Sequence, residues 1–338
     1  MILSCFSFQP LSHKWYSYTR AVNDRNHDLL FKVTISIKTQ NLTRSFGDFV
    51  AVDKLSLSIN SGEIFGLLGP NAAGKSTVIR LLAGILQANS GEAHILGLDL
   101  FSQTDSIKQR IGYVAQQFSL YPDLTVLENI VFYAGLYGVE DKVRLNYLLD
   151  LYDLSQFKNK LAGLLSGGYK RRLAIACATT HDPELIFLDE PTAGIDPVTR
   201  KELWDLFYSL ATSGKTLFVT THYMEEAERC NRLAFLNHGK LVAQGTPAEI
   251  RSSLNNRLVY SCDIQHDPVL TSALIIDPAI QLVNQFGREL RIITDISVTL
   301  EQLQHIISKH YERSFQLKKV TPSIEDAFIS LTSNGGKQ

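Results

Sequence analysis

The sequence predicts an α/β fold: a parallel sheet around a phosphate-binding turn, followed by a smaller α+β layer. Three observations predict it. Gly69-Pro70-Asn71-Ala72-Ala73-Gly74-Lys75-Ser76-Thr77 has a glycine, four residues, then Gly-Lys-Ser, set between a short apolar run and a stretch of helical spacing. Leu185-Ile186-Phe187-Leu188 carries two carboxylates, Asp189 and Glu190, at its carboxyl end, where parallel sheets place ligands. Beyond Gly245-Thr246-Pro247 the order strand, helix, strand, strand, helix, strand suggests a ferredoxin-like layer.

The phosphate turn has a direct physical rationale. Small side chains let successive backbone N–H groups point at a phosphate chain. Lys75 adds a point charge for β- and γ-phosphates, and the Ser76 hydroxyl suits a magnesium shell. The run 64–68 supplies the strand, and Val78, Ile79, Leu81, Leu82 and Ile85 continue as a helix whose N-terminus favours an anion. Ala72 stands where many such loops have glycine. If the position needs positive φ, alanine costs about 1 kcal/mol or more there.

Upstream, Val33 to Ile37 alternates as a strand and Asn41 to Phe46 continues it, with Gly47-Asp48 as a turn. Phe46 either stacks on a base or fills the strand core; spacing alone does not choose. Ile111 to Gln116 reads as a strand ending in a polar side chain suited to a metal ion or a water. Phe118, Leu120, Tyr121 and Leu124 either pack down or form a docking patch. Leu127 to Tyr137 and Lys142 to Tyr152 have helical spacing. Leu165-Ser166-Gly167-Gly168 places Ser166 as an N-cap, so this turn is either a second anion site or an ordinary capped helix with a basic face. Asp189 suits a magnesium shell and Glu190 a general base. Thr216 to Thr221 is a further strand, ending at His222, and Pro197 opens the helix before it.

The 338 residues allow one large or two modest domains. A formal net charge of −1 weighs modestly against a nucleic-acid partner. No apolar run reaches the roughly 18 residues that span a bilayer, so any membrane association is expected through a partner. Cys5, Cys177, Cys230 and Cys262 lack paired spacing and read as reduced thiols of a cytosolic protein. Residues 1–32, without clear periodicity, read as an N-terminal extension: a poorly ordered tail, a membrane-surface or partner-binding arm, or a start assigned too early, the first and third being favoured.

Taken in order, these motifs resemble an ATP-binding-cassette ATPase across about residues 35 to 245. The resemblance rests on the phosphate loop 69–77, Gln116, Leu165-Ser166-Gly167-Gly168, the Asp189-Glu190 strand, Ala193-Gly194-Ile195-Asp196 and His222. It implies an antiparallel β subdomain and a helical signature subdomain around the core, with domains at 33–245 and 246–338. It implies ATP and Mg2+ as ligands, with Gln116 as the lid glutamine, Asp196 as a dimer contact, His222 as the switch histidine and Phe46 as the adenine-stacking aromatic. Family members form a head-to-tail dimer, so Ser166, Gly167 and Gly168 of one copy would close over nucleotide held by Lys75 of the other. Tyr169 departs from the glutamine common there. Ser166 to Leu173, Ala193 to Pro197 and Thr321 to Phe328 look like the drug-export branch. Its ATPases serve a separate transmembrane permease, implying a cytoplasmic protein at the inner membrane face. The stretch from Phe118 to Leu124 and the helix after it would receive the permease. A ribosome- or DNA-directed cassette ATPase would carry two cassettes or long coiled coils, which this chain lacks. A non-hydrolysing scaffold sits poorly with intact Lys75, Asp189 and Glu190.

Overall fold

The computed structural model describes residues 34–117, 119–254, 256–265 and 267–333. The extension 1–32, Cys5 and Phe118 lie outside the described residues. The chain opens with β1 (Ile35–Phe46), β2 (Phe49–Leu55) and β3 (Ser58–Asn60), then β4 (Ile64–Leu68) leads into the phosphate turn. After the helix Lys75–Leu82 come β5 (Ser90–Ile95), β6 (Leu98–Asp99) and β7 (Ile111–Val114). Helices Val126–Leu136, Lys142–Leu151 and Gly167–Ala178 precede β8 (Leu185–Asp189). The helix Pro197–Thr212, β9 (Thr216–Thr221), β10 (Arg232–Asn237) and β11 (Lys240–Gly245) complete this part.

The strands form a six-stranded sheet, β11-β10-β4-β9-β8-β7, parallel except for the β10–β11 hairpin, beside an antiparallel sheet containing β1, β2, β3, β5 and β6. The period of two along each central strand assigns its side chains to two cores. Ile64, Ile186, Leu188, Leu217 and Val219 pack with Leu173, Leu203, Trp204 and Phe207 from the helices. Phe65, Leu67, Leu185, Phe187 and Phe218 pack with Val78, Ile79, Leu82 and the antiparallel sheet. Each such large side chain, fully buried, contributes about 1.5–3 kcal/mol relative to exposure. This double burial is why β4 is apolar throughout and β8 is apolar up to its terminal Asp189.

One strand stops short of its expected end: Ile111 to Gln116 leaves the sheet after Val114, whereas β8 runs through Leu185–Leu188 to Asp189 with the two carboxylates at its carboxyl end, as expected. Glu190, just past β8, takes φ 45, in the left-handed region.

The remainder comprises β12 (Arg257–Cys262), β13 (Ile280–Phe286), β14 (Glu289–Asp295) and β15 (Leu317–Val320), in antiparallel order β13-β14-β12-β15. Helices Pro268–Ile276 and Leu300–Ser308 occupy the connections β12–β13 and β14–β15. This is the split βαβ arrangement expected after Gly245. Helices Pro247–Ser252 and Ile324–Ser333 contribute Ile250, Ile324 and Ala327 to a core that also holds Leu233, Phe235, Val259 and Ile293. Among the described residues, Cys177, Cys230 and Cys262 are free and buried. Burial pushes all three thiols up, Cys262 to about 12, which leaves them protonated at neutral pH.

Candidate active site

The turn after β4 is shaped by close backbone approach. A Cβ on Gly69 would lie 2.2 Å from the Leu236 carbonyl oxygen, and one on Gly74 would lie 2.4 Å from that of Ala51. Gly74 caps the helix Lys75–Leu82 at φ 104. Ala72 has φ 63, so the positive φ feared from the sequence is present on an alanine. Asn71 and Ala72 are exposed, Ala73 is buried and donates its N–H to the Pro70 carbonyl (3.2 Å), and Ser76 and Thr77 occupy the first helical turn. The result is a small-residue cradle at a helix N-terminus, which fits a phosphate chain.

Lys75 is only 4% exposed. Its ammonium donates to the Gly69 and Pro70 carbonyls (2.9 and 3.1 Å) and lies 3.2 Å from Oε1 of Glu190. Three acceptors satisfy the three N–H donors of a buried cation. The other oxygen of Glu190 accepts from Nε2 of Gln116 (3.0 Å), and Nδ1 of His222 stands 3.3 Å from it without hydrogen-bond geometry. Residues 75, 116, 190 and 222, far apart along the chain, thus meet at one carboxylate. Gln116 sits two residues beyond β7 and reaches Glu190, not the Ser76–Asp189 pair.

Asp189 is fully buried at the end of β8. Its Oδ1 accepts from Ser76 Oγ (3.2 Å) and Thr220 Oγ1 (2.7 Å). Its Oδ2 is buried with no partner. An unpaired buried carboxylate oxygen is costly, and a cation would satisfy it. A hydroxyl and a carboxylate also form the hard-oxygen set that suits magnesium. Ser76 and Asp189 therefore fit that ion.

Two residues escaped the sequence reading. Thr220 Oγ1 also accepts from the Glu190 N–H (2.9 Å), so one hydroxyl ties both carboxylates to β9. The pairing of Asp189 with Thr220 across β8 and β9 puts it there, but a threonine in a β-rich run carries no signal by itself. Arg171, read as part of a solvated basic face, turns inward instead. It donates to the carbonyls of Ala115 (2.8 Å), Gln116 (3.0 Å) and Glu190 (3.4 Å). Arg172 does face outward, paired with Glu202 at 2.7 Å.

Phe46 is 47% exposed and carries the Arg44 guanidinium 4.6 Å from its ring centroid, so it is not strand core. Ser166 occupies the N-cap position of Gly167–Ala178 with an extended backbone, yet its side chain makes no cap bond. The expected N-cap is therefore positional only, and the exposed hydroxyl is left for another partner. Gly168 packs against Thr199, where a Cβ would meet Cγ2 at 2.5 Å. Among the described residues no hydrogen bond joins Ser166, Gly167 or Gly168 to the phosphate turn of the same chain. Asp196 caps Pro197–Thr212 by accepting from the Val198 and Thr199 N–H groups, and the Thr199 bonds hold its carboxyl below the usual range. Beside the site, Ile85, Tyr113, Ala115, Leu120, Tyr133 and Tyr137 line a groove. The exposed apolar residues Tyr121, Val131, Phe132 and Leu136 belong to the adjoining loop and helix.

A family model described as ABC transporter matches residues 52–193. Over 331 residues the chain is 34% identical to the Nod factor export ATP-binding protein I of Sinorhizobium fredii, covering 95% of this chain and 92% of that protein. The chain belongs to the ATP-binding-cassette transporter family. It is also 38% identical over 230 residues to the daunorubicin/doxorubicin resistance ATP-binding protein DrrA of Streptomyces peucetius, covering 67% of this chain and 70% of that one. Against the probable multidrug ABC transporter ATP-binding protein YbhF of Escherichia coli it is 41% identical over 256 residues, 75% of this chain but only 42% of YbhF. The chain thus spans less than half the length of that relative. An ATP-binding subunit of an ABC transporter matches with a TM-score of 0.60 at 27% identity, over 66% of this chain and 94% of that one. A dimeric post-hydrolysis state of the cassette MJ0796, bound to ADP and Pi, matches at 0.57 and 29% identity, over 62% of this chain and 98% of that one. The cassette core expected from the sequence is borne out.

Proposed function

We propose that this cassette binds and hydrolyses ATP with Mg2+ and energises export through a separate transmembrane permease. The observation that carries the reading is the Glu190 carboxylate, met by Lys75, Gln116 and His222 beside a phosphate cradle. The backbone of residues 69–77 and Lys75 grip the phosphates. The exposed ring of Phe46 stacks on adenine. Ser76 and Asp189, with the amide oxygen of Gln116 once its bond to Glu190 is released, would hold Mg2+, which would supply charge neutralisation at the phosphates. When phosphate oxygens replace Glu190 as partners of the Lys75 ammonium, the carboxylate becomes free to polarise the attacking water and take its proton. His222 orients on the same carboxylate from the γ-phosphate side.

The exposed Ser166 hydroxyl, unused as a cap, supports a head-to-tail dimer. In it Ser166, Gly167 and Gly168 close over nucleotide on the partner copy, and Asp196 lies at the contact. Residues 33–245 act as the cassette and 246–338 as an accessory domain, with 1–32 as an extension. No helix among the described residues is long and apolar enough to cross a membrane. The groove near Tyr133 and the apolar residues on 121–136 are the surface that we assign to a cytoplasmic helix of the permease, which would keep the cassette at the inner membrane face. Export is the direction because relatives carry that word or multidrug in their names.

The test is turnover by the purified chain, alone and with its permease. Glu190→Gln is expected to lower ATP hydrolysis by about 10²–10⁴-fold while nucleotide binding persists and a dimer accumulates on adding ATP. Unchanged hydrolysis in that variant removes Glu190 from its role.

A further inference from the structure

We propose that Arg171 is a positioning residue for hydrolysis, fixing Gln116 and Glu190 to the helix Gly167–Ala178 and to the groove wall. The inference rests on the ATPase reading above. Its basis is one guanidinium shared among three carbonyls from two loops: Ala115, Gln116 and Glu190. Ala115 lines the groove, Gln116 touches the Glu190 carboxylate, and Glu190 is the proposed base itself.

Two of these carbonyls, those of Ala115 and Gln116, need an outside donor. β7 ends at Val114, so the ladder no longer serves Ala115 and Gln116. Glu190 sits at φ 45, a conformation that persists only when its surroundings over-determine it. Thr220 holds its N–H, while Ala193 N–H (3.2 Å) and Arg171 share its carbonyl. The planar fork of arginine presents its donors in a fixed, spread geometry that reaches carbonyls of two loops, which the compact ammonium of lysine does not reproduce. Burial pushes the Arg171 pKa down, the Asp189 and Glu190 charges oppose that, and arginine stays a cation at neutral pH. Arg172, bonded to Glu202, serves as an internal contrast at the next position.

The consequence is mechanical. A shift of the helix that begins at Ser166, or of the groove wall at Ala115, is passed by one rigid side chain to both the lid glutamine and the carboxylate. Arg171 touches no reacting atom and acts through its neighbours.

The test uses the full chain with Arg171→Met, which keeps length but removes donors, and Arg171→Lys. Hydrogen exchange, followed without nucleotide, should accelerate about tenfold in segments 115–117 and 190–193, while β4 and β9 amides keep their protection. The turnover number should fall about tenfold or more with the ATP dissociation constant within about twofold, and Arg171→Lys should fall between. In a Gln116→Ala background, Arg171→Met should cost less than in the wild-type chain, because part of its effect passes through Gln116 and the rest through Glu190. Wild-type exchange in both segments, or protection lost evenly across the cassette, overturns the proposal. So does unchanged turnover, or a rise in dissociation constant that matches the fall. A wild-type chain that does not hydrolyse ATP sinks the proposed function instead, and the exchange result still decides whether Arg171 holds these segments.

Discussion

Replacing Ala72 by glycine should make this cassette more stable. An L-residue in the left-handed region costs about 1–2 kcal/mol, and Ala72 sits there at φ 63. Glycine removes that cost but gives the unfolded chain more freedom, returning about 0.4–1 kcal/mol. The methyl group is exposed, so its loss forfeits little burial. The net gain is about 0.5–1 kcal/mol, or about 1–2 °C in Tm for a chain of this size. Affinity is a separate matter. If the free loop keeps φ 63, the strain is equal with and without nucleotide and the dissociation constant does not move. If the free loop relaxes away, relief of 1 kcal/mol in the bound state tightens binding at most about fivefold. Thermal unfolding and nucleotide titration of the same preparations separate the two. Ala73→Gly is the control: Ala73 is buried and lacks positive φ, so it should only lose stability. A lower Tm for Ala72→Gly with no gain in affinity would show that the loop stores no strain at this residue.

Three further outcomes follow from the geometry. Phe46→Ala should weaken ATP binding by about 1–3 kcal/mol, as loss of a stacked base does, yet leave inorganic triphosphate binding unchanged; equal loss for both ligands removes the ring from adenine recognition. Thr220→Val keeps shape but leaves the Asp189 Oδ1 and Glu190 N–H short of a partner, so it should cost about 1–3 kcal/mol in unfolding and lower turnover more than a valine elsewhere in β9. The Arg110 hydrogen bonds hold the Glu184 carboxyl below its ordinary range. Its folded value is depressed, so this stability is present above the unfolded value near 4.3 and is lost as pH falls through the lower native value. Glu184→Gln should lower stability at neutral pH, where the pair contributes, leave it nearly unaltered below the native value, and so flatten the acid limb of an unfolding profile; an unchanged acid limb contradicts the assignment.

What the sequence determined by itself was local. The phosphate turn could be read because its requirements lie within nine residues: glycines where neighbouring backbone crowds in, a lysine and a hydroxyl at the helix start. The strand before Asp189 showed itself because burial on both faces forces an unbroken apolar run. Even the strain at Ala72 was foreseeable, since the demand for positive φ belongs to the turn. The helix Pro197–Thr212 announced its start through Pro197 for the same reason.

Only the tertiary structure decided which distant groups meet. Gln116 and His222 were candidates on spacing, but their convergence on one Glu190 carboxylate depends on neighbouring strands ending at the same edge. Arg171 and Arg172 look alike in sequence, and one turns to three carbonyls while the other turns to a glutamate at the surface. Phe46 was undecided between core and stacking, and its exposure rules out the core. The reason is that burial and hydrogen-bond partners are set by chain segments tens of residues away, and a side chain's role depends on where the packed sheet delivers it.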